Sequence, residues 1–89
     1  MATYMLIRHK VRNFTEWKHG YDAHLPKRIE AGLTEKYLLR GADDPNEVII
    51  LFVGQDLKRA RAFAGSADLK ETMKKVGVVD KPDIFFLSD

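Results

Sequence analysis

The run Glu47-Val48-Ile49-Ile50-Leu51-Phe52-Val53 sends apolar side chains to both faces of a strand. Successive strand residues point to opposite sides, so Val48, Ile50 and Phe52 need cover on one face and Ile49, Leu51 and Val53 on the other. That pattern belongs to a strand in the middle of a sheet, buried on each side. The chain has 89 residues, which is material for one domain spanning residues 1–89 and for one core. A single layer of helices covers one sheet face, and nothing remains for a second layer. Left in water, the other face would be an unusually large apolar patch. Self-association through the sheet, as a homodimer, is the economical cover.

Working outward from this run, Asp43-Asp44-Pro45-Asn46 carries strong turn chemistry: Pro45 sets φ and the Asp and Asn side chains bond nearby backbone. The turn joins the run to a preceding strand over Glu35 to Gly41, making a hairpin. Further upstream, Tyr4 to Val11 alternates between Tyr4/Leu6/Arg8/Lys10 and the more apolar Met5/Ile7/His9/Val11, the period-2 signature of a strand. Asn13 followed by Glu16 forms a capping-box-like start to a helix. From there Phe14, Trp17, Tyr21 and then His24 or Leu25 recur at three- and four-residue intervals, one stripe that faces the sheet. Pro26 lacks an amide hydrogen, so the helix kinks or restarts at His24-Leu25 before running through Ile29 to a stop at Gly32.

Downstream, Asp56 caps a short helix whose buried side is Leu57, Ala60, Phe63 and Ala64, and Gly65 ends it. Ser66 caps another, with Leu69, Met73 and Val76 on its apolar side and Gly77 at its end. Asp83 to Leu87 is a last short strand after Pro82. The order is β-α-β-β-α-β, the α+β ferredoxin-like split β-α-β arrangement with one antiparallel four-stranded sheet and helices on one face.

Composition narrows the chemistry. There is no cysteine, which removes disulfides, thiolate metal sites and a thiol nucleophile. The net charge of +2 comes from 15 basic and 13 acidic residues interspersed along the chain, so no concentrated field marks nucleic acid as a partner. Lys70, Glu71, Lys74 and Lys75 read as the solvated side of a helix. The amino-terminal residues form no secretion signal and no stretch is long enough to span a membrane, so the expected location is cytoplasmic.

Leu6-Ile7-Arg8-His9-Lys10-Val11, then Phe14-x-x-Trp17-Lys18, Gly32 after the first helix, and Ala60-Arg61-Ala62-Phe63 with Ser66-x-Asp68-Leu69 resemble the antibiotic biosynthesis monooxygenase-like family of dimeric α+β barrels. The likeness covers nearly the whole chain, and its motifs concern packing more than catalysis. It implies a closed barrel built from two four-stranded sheets, one per subunit. It also implies a ligand pocket between helices and sheet in each subunit. Functions in the family range over cofactor-independent oxygenation of aromatic polyketides, haem degradation, and cyclisation or isomerisation; other members have no known role. Fold analogy does not choose among them.

The resemblance directs attention to His9 and His24 as catalytic candidates, with Trp17, Tyr21, Phe52, Phe63 and Arg40 as substrate-binding candidates. If Met5/Ile7/His9/Val11 faces the helices, His9 points at the stripe of Trp17, Tyr21 and His24. A histidine poised near neutrality at the Pro26 break suits proton abstraction from a phenolic or enolic substrate before oxygen attacks the carbanion. Each candidate also has a plain structural reading: a histidine bonded to a loose carbonyl at a kink, or aromatic residues that only fill a core. A metal held by His9, His24 and Asp22 lacks close ligand spacing, and haem degradation lacks an asparagine in the first strand. No metal or cofactor is therefore expected. Arg8 and Arg40, if both face the barrel, need acidic or carbonyl partners or form an anion-binding pair. Two functions remain open: a monooxygenase-like enzyme acting on an aromatic or polyketide-like molecule, and a non-catalytic ligand-binding or stress-associated barrel. An open cavity reaching His24 favours the first, a filled core the second.

Overall fold

A computed structural model describes residues 2–89. Its elements are β1 (Thr3–Lys10), α1 (Phe14–Ala23), α2 (Leu25–Glu30), β2 (Leu33–Arg40), β3 (Glu47–Gly54), α3 (Leu57–Ala64), α4 (Ala67–Lys75) and β4 (Asp83–Ser88). The strands form one antiparallel sheet in the order β2-β3-β1-β4. This is the β-α-β-β-α-β arrangement, with each helical crossover broken in two. None of the described helices is long and apolar enough to cross a membrane.

The helix starts are set by short polar side chains. Asn13 accepts from the Glu16 amide, Asp56 from Lys58 and Arg59, and Ser66 from Leu69, each satisfying amides that have no partner inside the helix. The capping box at Asn13 is only half formed. The Glu16 carboxylate lies 3.7 Å from Arg12 and makes no return bond to the cap. Gly32 and Gly77 close the two crossovers with φ of 76° and 86°, backbone conformations that favour glycine. Leu25 and Leu57, both expected on buried stripes, are 48% and 40% exposed. The α1 stripe instead passes through His24, the residue at which the helix breaks.

The core lies between the helices and one sheet face. Met5, Ile7 and His9 from β1 alternate with Val48, Ile50 and Phe52 from β3, all buried, and Trp17, Tyr21 and Ala60 close over them. Phe52, Met5, Ile50 and Val48 are fully enclosed, and burial of each is worth about 1.5–3 kcal/mol.

The opposite face has no cover among the described residues. Ile49, Leu51, Val53 and Leu6 are only partly shielded, and Tyr37, Leu39, Phe85 and Leu87 are roughly half exposed (46–55%). A bulge in β2 helps to build this patch. Glu35 pairs with Phe52, but Tyr37 pairs with Leu51, leaving Lys36 as an extra residue. The extra residue inverts the alternation. Leu33 and Glu35 face the helices, whereas Tyr37 and Leu39 turn to the open face, and Leu38 and Arg40 turn back to the helices. Arg8 and Arg40 therefore lie on opposite faces, contrary to the pairing considered from sequence. On the open side, Arg8 bonds Glu47 at 2.6 Å and Asp83 at 3.1 Å, tying β1 to both of its neighbours. Arg40 caps Phe14 at 3.9 Å and donates Nε to the Pro45 carbonyl at 2.8 Å.

Gly20, in the middle of α1, lies against Val76 at the end of α4. A Cβ there would overlap Val76 Cγ1 and stand 2.9 Å from its Cβ, whereas the Val76 Cα is at an ordinary 3.9 Å. Gly20→Ala removes a helix-interior glycine, which by itself favours folding by about 1 kcal/mol, yet the overlap is expected to outweigh this and cost about 1–3 kcal/mol. In a Val76→Gly background the sign should invert, with Gly20→Ala now neutral or stabilising. Urea denaturation of the four proteins in the double-mutant cycle measures this; equal effects in both backgrounds would refute the contact.

Candidate functional site

Breaking the long helix at Pro26 sets α1 and α2 apart and leaves a cavity beneath them. The floor is sheet: Ile7 and His9 from β1, Ile50 and Phe52 from β3. One wall is Trp17, Tyr21, His24 and Arg28, and the cover is Phe63 from α3 with Leu69, Thr72, Met73 and Val76 from α4 and its end. The volume is about 40 Å³, room for roughly three water molecules at about 10–15 Å³ each. The lining is almost wholly apolar, interrupted by His9, His24, Arg28, Thr72 and the Tyr21 phenol.

His9 is 3% exposed, and neither ring nitrogen has a hydrogen-bond partner among the described residues. Its ring meets Trp17 edge-on at 5.6 Å. Burial lowers its pKa to about 4, with Asp80 opposing weakly, so the imidazole is neutral at physiological pH. It then has one N–H to donate and one lone pair to accept. Leaving both unmade carries a desolvation cost of about 1–3 kcal/mol, and the His9 side chain lines the cavity.

His24 occupies the junction of α1 and α2, its side chain 12% exposed. Nε2 lies 3.0 Å from Asp68 Oδ2 at the start of α4, and Phe63 packs against the ring at 5.9 Å. The bond from His24 holds Asp68 below the usual carboxylate range. An ionised Asp68 only accepts, so the neutral imidazole carries its proton on Nε2 and keeps a lone pair on Nδ1. This carboxylate–imidazole arrangement orients a base.

Tyr21 stacks on Trp17 at 4.8 Å and donates its hydroxyl to Glu35 at 2.8 Å. Burial, and then the Glu35 bond, push the phenol far above its ordinary range, so Tyr21 keeps its proton and serves as a wall rather than as an acid. The Arg28 guanidinium carbon lies over the Tyr21 ring at 3.7 Å, and Nη1 donates to the Tyr21 carbonyl at 2.6 Å. Burial pulls its pKa below the ordinary arginine value.

Of the residues singled out from sequence, His9, His24, Trp17, Tyr21, Phe52 and Phe63 converge on this cavity, and Arg40 does not. The β2 bulge and the hairpin turn hold Arg40 at Phe14 and Pro45 instead. Asp22 is bonded to Lys18 at 2.5 Å and does not meet the two histidines. The sequence reading missed Arg28 and Thr72. For Arg28 a signal existed: Trp17, Tyr21, His24 and Arg28 continue one helical stripe at steps of four, three and four straight through the Pro26 break.

No family model matches the sequence, and no curated protein matches it. Solved structures do share the fold. A protein from Bordetella bronchiseptica assigned as an antibiotic biosynthesis monooxygenase superposes with a TM-score of 0.76 at 19% identity, over 100% of this chain and 98% of its own. SnoaB, a cofactor-independent oxygenase from Streptomyces nogalater, gives 0.75 at 13% identity, over 99% and 92%. A protein from Nitrosomonas europaea with the same assignment as the Bordetella one gives 0.73 at 15% identity, over 99% and 89%. The chain has the fold of the antibiotic biosynthesis monooxygenase structures, as its motifs implied.

The unpartnered His9 has a measurable consequence. Its pKa is about 4 when folded and about 6.5 when unfolded. Above pH 6.5 both states are neutral there. As pH falls to about 4, the unfolded chain binds a proton that the folded one refuses, and stability declines by about 3 kcal/mol in total. In His9→Leu this component should vanish, so the loss of unfolding free energy between pH 7 and pH 4 shrinks by that amount. Urea titrations at a series of pH values measure it; an unchanged pH dependence would show that His9 does not titrate as a buried neutral group.

Proposed function

We propose that this protein works as a homodimer joined through its open sheet faces, each subunit holding a small organic substrate between helices and sheet. It acts there as a cofactor-independent monooxygenase, with His24 as base. The observation that carries the reading is the buried His9, without a hydrogen-bond partner among the described residues, in an apolar cavity that also contains an oriented second imidazole. A core that served packing alone would gain stability by replacing such a group with an apolar one. The fold shared with SnoaB supports the reaction class.

The chemistry needed is modest. An electron-rich phenol or enol gives up a proton to His24 Nδ1, and Asp68 stabilises the imidazolium so formed. Oxygen adds to the carbanion; one oxygen atom remains as a carbonyl, and the other leaves as water with the two hydrogens of the oxidised carbon. The substrate supplies the electrons. His9, neutral across this pH range, donates to or accepts from the substrate without competing for its proton.

Size limits the substrate. About 40 Å³ holds no aromatic ring, so a ring enters only if α4 moves outward. That helix contributes one buried residue, Leu69, and the His24–Asp68 bond holds its start. This closed state also favours the second reading, a barrel that binds a compact ligand without turning it over.

The open face supports the dimer. Its half-exposed Tyr37, Leu39, Phe85 and Leu87 surround Leu6, Ile49, Leu51 and Val53, so a second copy would bury a continuous apolar surface. Sedimentation equilibrium should give twice the 10.2 kDa chain mass, and Leu51→Glu should give the monomer; a folded wild-type monomer at low micromolar concentration would overturn the dimer. Activity is tested by oxygen uptake and product absorbance with dithranol and tert-butylhydroquinone. Turnover above the uncatalysed rate is expected, falling by about 10²–10⁴ in His24→Gln. Binding without turnover of either compound would move the conclusion to the non-catalytic barrel.

A further inference from the structure

We propose that Arg28 is the anion-binding group of the cavity and that the molecule taken up there carries a carboxylate. The inference deepens the reading of the cavity as a small-molecule site and rests on it. Arg28 is 5% exposed, yet among the described residues no carboxylate lies within ion-pairing distance of it. The contrast with Arg8 is informative: that half-exposed guanidinium engages two carboxylates, Glu47 and Asp83. A guanidinium does not escape burial by losing its proton, and a buried charge is stable only when paired.

The contacts of Arg28 hold it in place without a direct ion pair among the described residues. One nitrogen donates to the Tyr21 carbonyl at 2.6 Å, and the guanidinium carbon rests over the Tyr21 ring at 3.7 Å. Glu35 and Asp22 are near enough to favour the charged guanidinium from a distance, but Glu35 accepts from the Tyr21 hydroxyl and Asp22 pairs with Lys18. A guanidinium has five N–H donors in a rigid planar fork that matches a carboxylate in bidentate fashion. Stacking and one backbone bond leave most of that fork unused. The surrounding surface is Trp17, Phe63 and Met73, which suits the apolar remainder of a short organic acid. His9 offers a neutral donor and acceptor on the sheet side of the same cavity. A carboxylate at Arg28 would thus supply the missing counter-charge and anchor one end of the substrate.

The test uses the full-length protein, uniformly ¹⁵N-labelled, titrated with propionate and with propionamide, two molecules of nearly equal shape and different charge. The backbone, Trp17 indole and arginine Nε resonances are followed. Propionate should bind roughly tenfold or more tightly than propionamide, the scale of a charge-assisted bidentate pair, and should shift the Arg28 Nε and Trp17 indole signals together. In Arg28→Met the two ligands should become equivalent, while Arg28→Lys should retain part of the preference. If neither variant folds, the wild-type preference and the Arg28 Nε shift decide the matter alone. Equal binding of both ligands in the cavity overturns the anion site but leaves the cavity a ligand site. Shifts confined to surface residues, or none with either ligand, overturn both.

Discussion

Everything in this structure depends on a central strand that is apolar on both sides in a chain long enough to cover only one. The helices take Val48, Ile50 and Phe52, and the sheet face bearing Ile49, Leu51 and Val53 is left for a surface the chain does not contain. Because the hydrophobic term scales with apolar area removed from water, that second face is a standing demand for another sheet.

The cavity is a product of the Pro26 break and is lined in a way that packing does not favour. Along one helical stripe the chain places Trp17, Tyr21, His24 and Arg28, two aromatic residues followed by two polar ones, and aims His9 at them from β1. Among the described residues His9 has no hydrogen-bond partner and Arg28 no direct ion pair, and Gly20 is kept small so that Val76 can close the roof. The first two place uncompensated polar groups in an apolar interior, at a cost in stability, whereas the glycine avoids a clash that a side chain would create. The bond from His24 to Asp68 both fixes the imidazole and ties the start of α4 to the α1–α2 junction. A movement of α4 and a change in the orientation of the imidazole are therefore physically connected.

Local features were legible wherever a short-range rule applied. Asn13, Asp56 and Ser66 cap helices because each reaches amides two or three residues ahead. Gly32 and Gly77 end crossovers where φ is positive, and Asp43 to Asn46 turns the hairpin. The alternation in Tyr4–Val11 gave the inward set Met5, Ile7 and His9, and so placed His9 near the α1 stripe. The bulge at Lys36 was not legible, since it arises from the register between β2 and β3 rather than from any residue in β2. It decided that Arg40 faces Phe14 and that Tyr37 and Leu39 face the open side. The return bond expected from Glu16 to its cap was lost to Arg12, a competition that local spacing does not resolve.

The sequence by itself determined the order of elements, the inward and outward sets of β1 and β3, and the need for a second cover, because these follow from side-chain periodicity and chain length. Only the tertiary structure decided which polar groups meet. His24 finds Asp68 across 44 residues, Tyr21 finds Glu35 across 14, and Arg8 finds Asp83 across 75. Arg28, a charge on an apolar stripe, is buried without a direct ion pair among the described residues. Pairing and the lack of it are relations between distant positions, set by the angle of a helix break and the register of a sheet, and a pattern read along one chain does not contain them.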